Sequence, residues 1–155
     1  MDTNKELRAH LLELLAGKSA HIDLKTVLNE FPVDKINTRL ENAPHTAWEL
    51  LEHFRIAQHD IVKFSCDADH VSPKFSDGYW NKTEASADDW KKSCEQITKD
   101  LQTMRDLVGD EIVDLFAKLT HGDGQTVMRE ALLLADHNAY HLGQIAFLMR
   151  ILETE

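Results

Sequence analysis

His137 and His141 stand four residues apart in the segment His137-Asn138-Ala139-Tyr140-His141. On a helix this spacing puts two side chains one turn apart on the same face, with Cβ atoms about 5 to 6 Å apart. Two imidazoles so placed can share one zinc-like ion at roughly 2.0 to 2.1 Å without straining the backbone. Spacing alone does not decide the matter, because nine histidines in 155 residues give about half such a pair by chance. A third ligand is needed, and His53 is the candidate: it sits between Leu50 and Phe54, at the border of an inward-facing apolar stripe. A buried imidazole without a partner is costly, which leaves His53 as either a hydrogen-bonded core residue or a metal ligand. His10, His45, His59, His70 and His121 fall on polar faces, beside a cap or in a glycine turn, and are read as solvated surface.

Two familiar metal chemistries are excluded. A zincin needs Glu directly after the first histidine of HExxH, and Asn138 stands there. A ferritin-like di-iron bundle needs two Glu-x-x-His motifs, and no Glu in this chain lies three residues before a His.

The elements that must position these histidines read as helices throughout. Six glycines and three prolines in 155 residues are about half the usual combined share of roughly 12%, so turns are few and elements long. Thr3 and Glu6 form a capping box for a first helix carrying Leu7, Leu11, Leu14 and Leu15, with Gly17 as its stop. A short helix follows Asp23, with Leu24, Val27, Leu28 and Phe31 on one face and Pro32 at its end. The stretch from Asp34 to Pro44 is a connection with room for one helical turn. Thr46 and Glu49 repeat the capping box ahead of a long helix whose stripe runs through Ala47, Leu50, Phe54, Ala57, Ile61 and Phe64 to Cys66.

Residues 67 to 85 are polar and irregular, long enough to cross over the length of a helix. Ser86 caps the next helix, with Trp90, Cys94, Ile97, Leu101, Met104 and Val108 buried and Gly109 as terminator. Glu111 to Leu119 reads as another short helical piece, and Gln125 to Leu152 as a final helix of about 28 residues, roughly 42 Å long. No period-2 strand pattern or internal repeat occurs. The expected fold is all-α, a four-helix bundle in a single domain spanning residues 1–155.

Composition excludes several function classes. A formal charge of −10 repels phosphate backbones and anionic headgroups, so nucleic acid is not an expected partner. The longest apolar runs, Ala131 to Ala135 and Ile145 to Met149, fall far below the roughly 20 residues that span a bilayer, so no membrane partner is expected. Charges at Asp2, Lys5, Glu6, Arg8 and Glu13 break up any secretory signal core, which gives a cytoplasmic expectation. Cys66 and Cys94 are 28 residues apart, form no CxxC pattern, and read as small buried apolar residues.

The segment Asp136-His137-Asn138-Ala139-Tyr140-His141-Leu142-Gly143-Gln144 resembles the C-terminal DHxxxHxGQ pattern of the DinB/YfiT-like superfamily. Upstream, Trp48-Glu49-Leu50-Leu51-Glu52-His53 is similar to that family's segment with a single histidine on its second helix, and the intervening lengths agree along nearly the whole chain. The resemblance implies a bundle with up-down-down-up connectivity, the long crossover lying between the second and third main helices. It also implies three metal ligands at His53, His137 and His141, a divalent ion such as zinc or nickel, and, by analogy with characterised relatives, a low-molecular-weight thiol as co-reactant.

Three neutral imidazoles leave an ion its full charge and open positions, the pattern of a catalytic site. The expected function is that of a metal-dependent thiol S-transferase or hydrolase acting on a small molecule. The alternative is a non-catalytic helical binding or dimerisation protein with a structural or adventitious metal. Apolar residues left over on the first and third helices leave room for a homodimer. Gln144, one turn beyond His141, and Asp60, two turns beyond His53, are candidates to orient a ligand or carry a proton. Tyr79, Trp80 and Tyr140 are read first as packing residues and second as pocket lining.

Overall fold

The computed structural model describes residues 2–17 and 20–154. Five helices are present among them: α1 (Thr3–Ala16), α2 (Leu24–Glu30), α3 (Ala47–Cys66), α4 (Ala87–Gly109) and α5 (Val127–Leu152). One-turn 3₁₀ segments at Val33–Lys35 and Asp77–Tyr79 interrupt the connections that precede α3 and α4. The only β feature among the described residues is an isolated bridge between Lys118 and Thr126.

Local chemistry accounts for the helix ends. Helix α1 starts one residue earlier than its expected cap: the Asp2 carboxylate accepts from the backbone N–H groups of Asn4 at 3.1 Å and Lys5 at 3.4 Å, so Thr3 is already helical. Gly17 closes the helix in the left-handed region at φ 66°, where a side chain is strained. The boxes at Thr46 with Glu49 and at Ser86 with Asp89 are both closed reciprocally, each hydroxyl accepting from the third N–H and each carboxylate accepting from the cap's own N–H. Thr126 caps α5 through Arg129 N–H.

Two expectations are corrected. Gly109 does not terminate α4 from outside; it is the last helical residue, and Asp110 follows as the cap. Residues 111–119 form turns and no helix, because the backbone there is claimed by other partners. Asp110 and Asp114 take the N–H groups of Ile112 and Phe116 at 2.9 Å each, turning the chain locally. The buried Arg8 guanidinium of α1 gathers the carbonyls of Val108 at 2.7 Å and Asp110 at 2.9 Å, together with that of Val113. A cation at the carbonyl-rich end of α4 suits the helix dipole and ties α1 to α4.

Helix α3 packs on α4 and α5, and α1 packs on the same two from the other side, closing a bundle. Phe54, Leu51, Ile97 and Ile145 fill one half of the core, and Leu11, Val62, Met104 and Leu134 the other. Burying each such side chain stabilises the fold by about 1.5–3 kcal/mol. Cys94 lies half-buried against this core, whereas Cys66 at the end of α3 is exposed, contrary to its reading as a buried residue. No described helix is long and apolar enough to cross a membrane. The seam between α3 and α5, covered at one end by the connection from α3 to α4, carries the site.

Candidate metal centre

His53 projects from the middle of α3 toward α5, where His137 and His141 project back from successive turns. One ligand nitrogen from each of the three lies within 4.8 Å of the others, and no other group of three or more possible metal ligands occurs among the described residues. The Nε2 atoms of His53 and His137 are 3.2 Å apart. Two neighbouring ligands on one ion with bonds of about 2.1 Å lie roughly 3.0 to 3.4 Å apart, so this pair already stands at a coordinating separation.

The outer nitrogens decide which atoms face inward. His53 Nδ1 donates to the carbonyl of Tyr79 at 3.0 Å, and His141 Nδ1 donates to Gln144 Oε1 at 2.7 Å. A carbonyl oxygen can only accept, so both rings carry their proton on Nδ1 and present a bare Nε2 to the centre. This is the arrangement that metal-binding histidines use. His137 Nδ1 is buried with no hydrogen-bond partner among the described residues. Its ring is therefore oriented by packing and by its two histidine neighbours, with centroids 5.1 Å from His53 and 4.4 Å from His141.

Burial disfavours charge on all three rings, and mutual repulsion adds to it. Desolvation, then His141 and His53, lower the pKa of His137 to about 4. Desolvation, then the nearby His53, bring His141 to about 4 as well, against the opposing bond from Gln144. Desolvation also lowers His53, partly offset by its bond to Tyr79. Near neutral pH the cluster is three neutral imidazoles with no carboxylate among them, a donor set that fits a divalent transition ion.

An open cleft of about 430 Å³ lies beside the cluster, lined by His53 and His137 together with Ile61, Leu133, Phe75, Tyr79 and Asp60. The lining is mainly apolar, as small-molecule sites are, with few polar groups to orient a ligand.

Tyr79 and Trp80, read first as packing, both belong to the site. Tyr79 supplies the carbonyl for His53 and donates its phenol to Asp60 Oδ2 at 2.6 Å, while burial, then Asp60, push that phenol up to about 12. Trp80 stacks 4.0 Å from the ring of His53 and 4.0 Å from that of His45. Gln144 does orient His141, as its position one turn away allows. Tyr140 is largely exposed and meets His141 edge-on at 4.9 Å.

Several histidines set aside as surface are engaged. His45 packs on Trp80 beside the centre, His70 donates to Asp60 Oδ1 at 2.7 Å, His59 donates to the buried Asp100 at 3.0 Å, and His121 donates to the carbonyl of Phe64 at 2.7 Å. Each of these contacts joins segments at least ten residues apart, so no helical period could signal it.

The family model described as the DinB superfamily matches residues 18–145, and the chain belongs to that family. Comparison with curated proteins and with solved structures gave no significant match. Family and geometry together fit a metal-binding DinB-like protein whose cluster is His53, His137 and His141.

Proposed function

We propose that the protein is a metal-dependent enzyme, a thiol S-transferase or hydrolase, acting on a small electrophilic molecule at a zinc- or nickel-type ion held by His53, His137 and His141. The observation that carries this reading is the pair of bare, oriented Nε2 atoms of His53 and His141 converging with His137 beside an open cleft. When bound, a divalent ion with three neutral ligands supplies Lewis acidity that favours the deprotonated form of a water or thiol near neutral pH.

The chain's own groups do the rest. The Tyr79 carbonyl and Gln144 amide hold two imidazoles in register, and Trp80 covers the face of the His53 ring. Leu133, Ile61 and Phe75 form an apolar wall that takes the body of a substrate and sheds water from it. The neutral donor set favours catalysis over a purely structural role, since structural zinc sites usually close with four ligands and these residues provide three.

Elemental analysis of untagged protein beside His53→Ala tests the centre. A near-stoichiometric ion in the wild type, lost from the variant, is expected. A screen of thiols with electrophiles then tests the activity: the expected result is metal-dependent turnover abolished by His141→Ala. Equal rates in wild type and His141→Ala would overturn the enzyme reading, and metal-dependent stability without turnover would assign a binding role.

A further inference from the structure

Asp60 holds the crossover between α3 and α4 at two points. Its Oδ2 accepts from the Tyr79 phenol at 2.6 Å and its Oδ1 from His70 Nε2 at 2.7 Å. The carboxylate lies seven residues, two turns, beyond His53 on α3, a rise of roughly 10.5 Å. The carboxylate's two bonds go to the loop and not to the imidazole, so its link to His53 runs through the loop. Tyr79 is the connecting piece: its phenol is fixed by Asp60 while its main-chain carbonyl accepts the Nδ1 proton of His53 at 3.0 Å. Trp80, the next residue, stacks on the same ring.

We propose that Asp60 is a positioning residue for the metal centre, which acts through Tyr79 to keep the proton of His53 on Nδ1 and its Nε2 free to bind. The two bonds to Asp60 clasp both ends of the segment 70–79, so the carbonyl meets His53 in one place. Released from the clasp, the carbonyl drifts, and the His53 proton is free to redistribute to Nε2, the atom that faces His137 at 3.2 Å. Its consequence for metal affinity rests on the function proposed above; its consequence for the tautomer does not.

Imidazole nitrogen NMR of metal-stripped wild type, Asp60→Ala and Tyr79→Phe reads the tautomer of His53, and chelator competition with zinc reads affinity. Both variants are expected to lower the share of the Nδ1–H form and to raise the zinc Kd about tenfold. The double variant is expected to add little, because the two changes cut the same link. Should Asp60→Ala fail to fold, Tyr79→Phe decides, since it removes one hydroxyl and keeps the ring and the carbonyl. Wild-type tautomer in both folded variants would overturn the proposal, as would a shifted tautomer with unchanged Kd. Wild type that binds no zinc would overturn the metal reading instead, and the tautomer would then decide the clasp by itself.

Discussion

Helix α3 turns buried polar groups toward both of its long neighbours, and the two seams treat them in opposite ways. Toward α4, Glu52 receives Arg55 through two bonds at 2.7 and 2.9 Å and Ser93 at 2.6 Å. Two turns further on, Asp100 of α4 receives His59 at 3.0 Å and Gln96 at 2.8 Å. Gln58 between them donates to the carbonyl of Ile97 at 2.6 Å, and on its α5 side accepts from Asn138 at 2.7 Å. Toward α5, three imidazoles converge with no acid among them, two are oriented from behind, and one keeps an unpartnered nitrogen. A seam whose carboxylates and amides are answered within the chain specifies packing. A seam in which two imidazoles turn bare Nε2 atoms toward a third fits a divalent ion.

The comparison breaks most sharply at His141. His141→Ala removes one of three ligands, and the expected zinc affinity falls by more than about 100-fold, beyond what losing an orienting partner of a ligand costs. Titration with zinc in competition with a chelator checks it. Glu52→Ala, on the other seam, is expected to leave zinc binding within twofold and to destabilise the fold by about 3 kcal/mol, read by urea melts. The low end of the range for broken buried pairs applies because Arg55, left behind, is partly open to water. Reversal of these two outcomes would mean that the satisfied seam, not the bare one, carries the ion.

Acid separates the seams again. An unfolded histidine binds its proton near pH 6.5, whereas folded His137 and His141 resist protonation until about pH 4. Between those values the unfolded chain holds more protons, so the stability of metal-stripped protein falls as pH drops through that window and is flat above it. Glu52 works in a lower window. Burial alone would raise its pKa, but Arg55 and Ser93 bring it below 4.5, so its contribution is present above that value and is lost only as pH falls through the folded pKa. Urea melts of the stripped protein between pH 7 and pH 4 are expected to slope, and in the variant His137→Ala with His141→Ala to be flatter across the same range.

Much of this was legible in the residues. The helices follow from periods and caps, and His53, His137 and His141 follow from spacing joined to a family pattern. Several of the misread elements share one cause. Residues 111–119 have helical periodicity, but Arg8, about 100 residues away, takes the carbonyls just where that segment begins, and a local pattern cannot register a distant guanidinium. His45, His59 and His70 looked like surface for the same reason: each gains its role from Trp80, Asp100 or Asp60, brought near only by the fold. The position of Asp60 on α3 is plain from its spacing, yet its two bonds to the crossover depend on a loop with no period at all.

The smallest expected effect is also a strict control on the separation of the seams. His59 lies six residues after His53 on the same helix, and like it donates Nδ1 to an oxygen 3.0 Å away. The difference is in what each ring meets. Nε2 of His53 faces another imidazole across the α3–α5 seam, whereas the His59 side chain remains 37% exposed and pairs with Asp100 of α4. A hydrogen bond open to water on one side contributes about 0.5 kcal/mol, and a glutamine can replace part of it. His59→Gln is therefore expected to shift stability by no more than about 0.5 kcal/mol in urea melts and to leave the zinc Kd unchanged. A loss of zinc from His59→Gln comparable to that from His53→Ala would show the two seams coupled through α3, and the division between a packing seam and a binding seam would have to be abandoned.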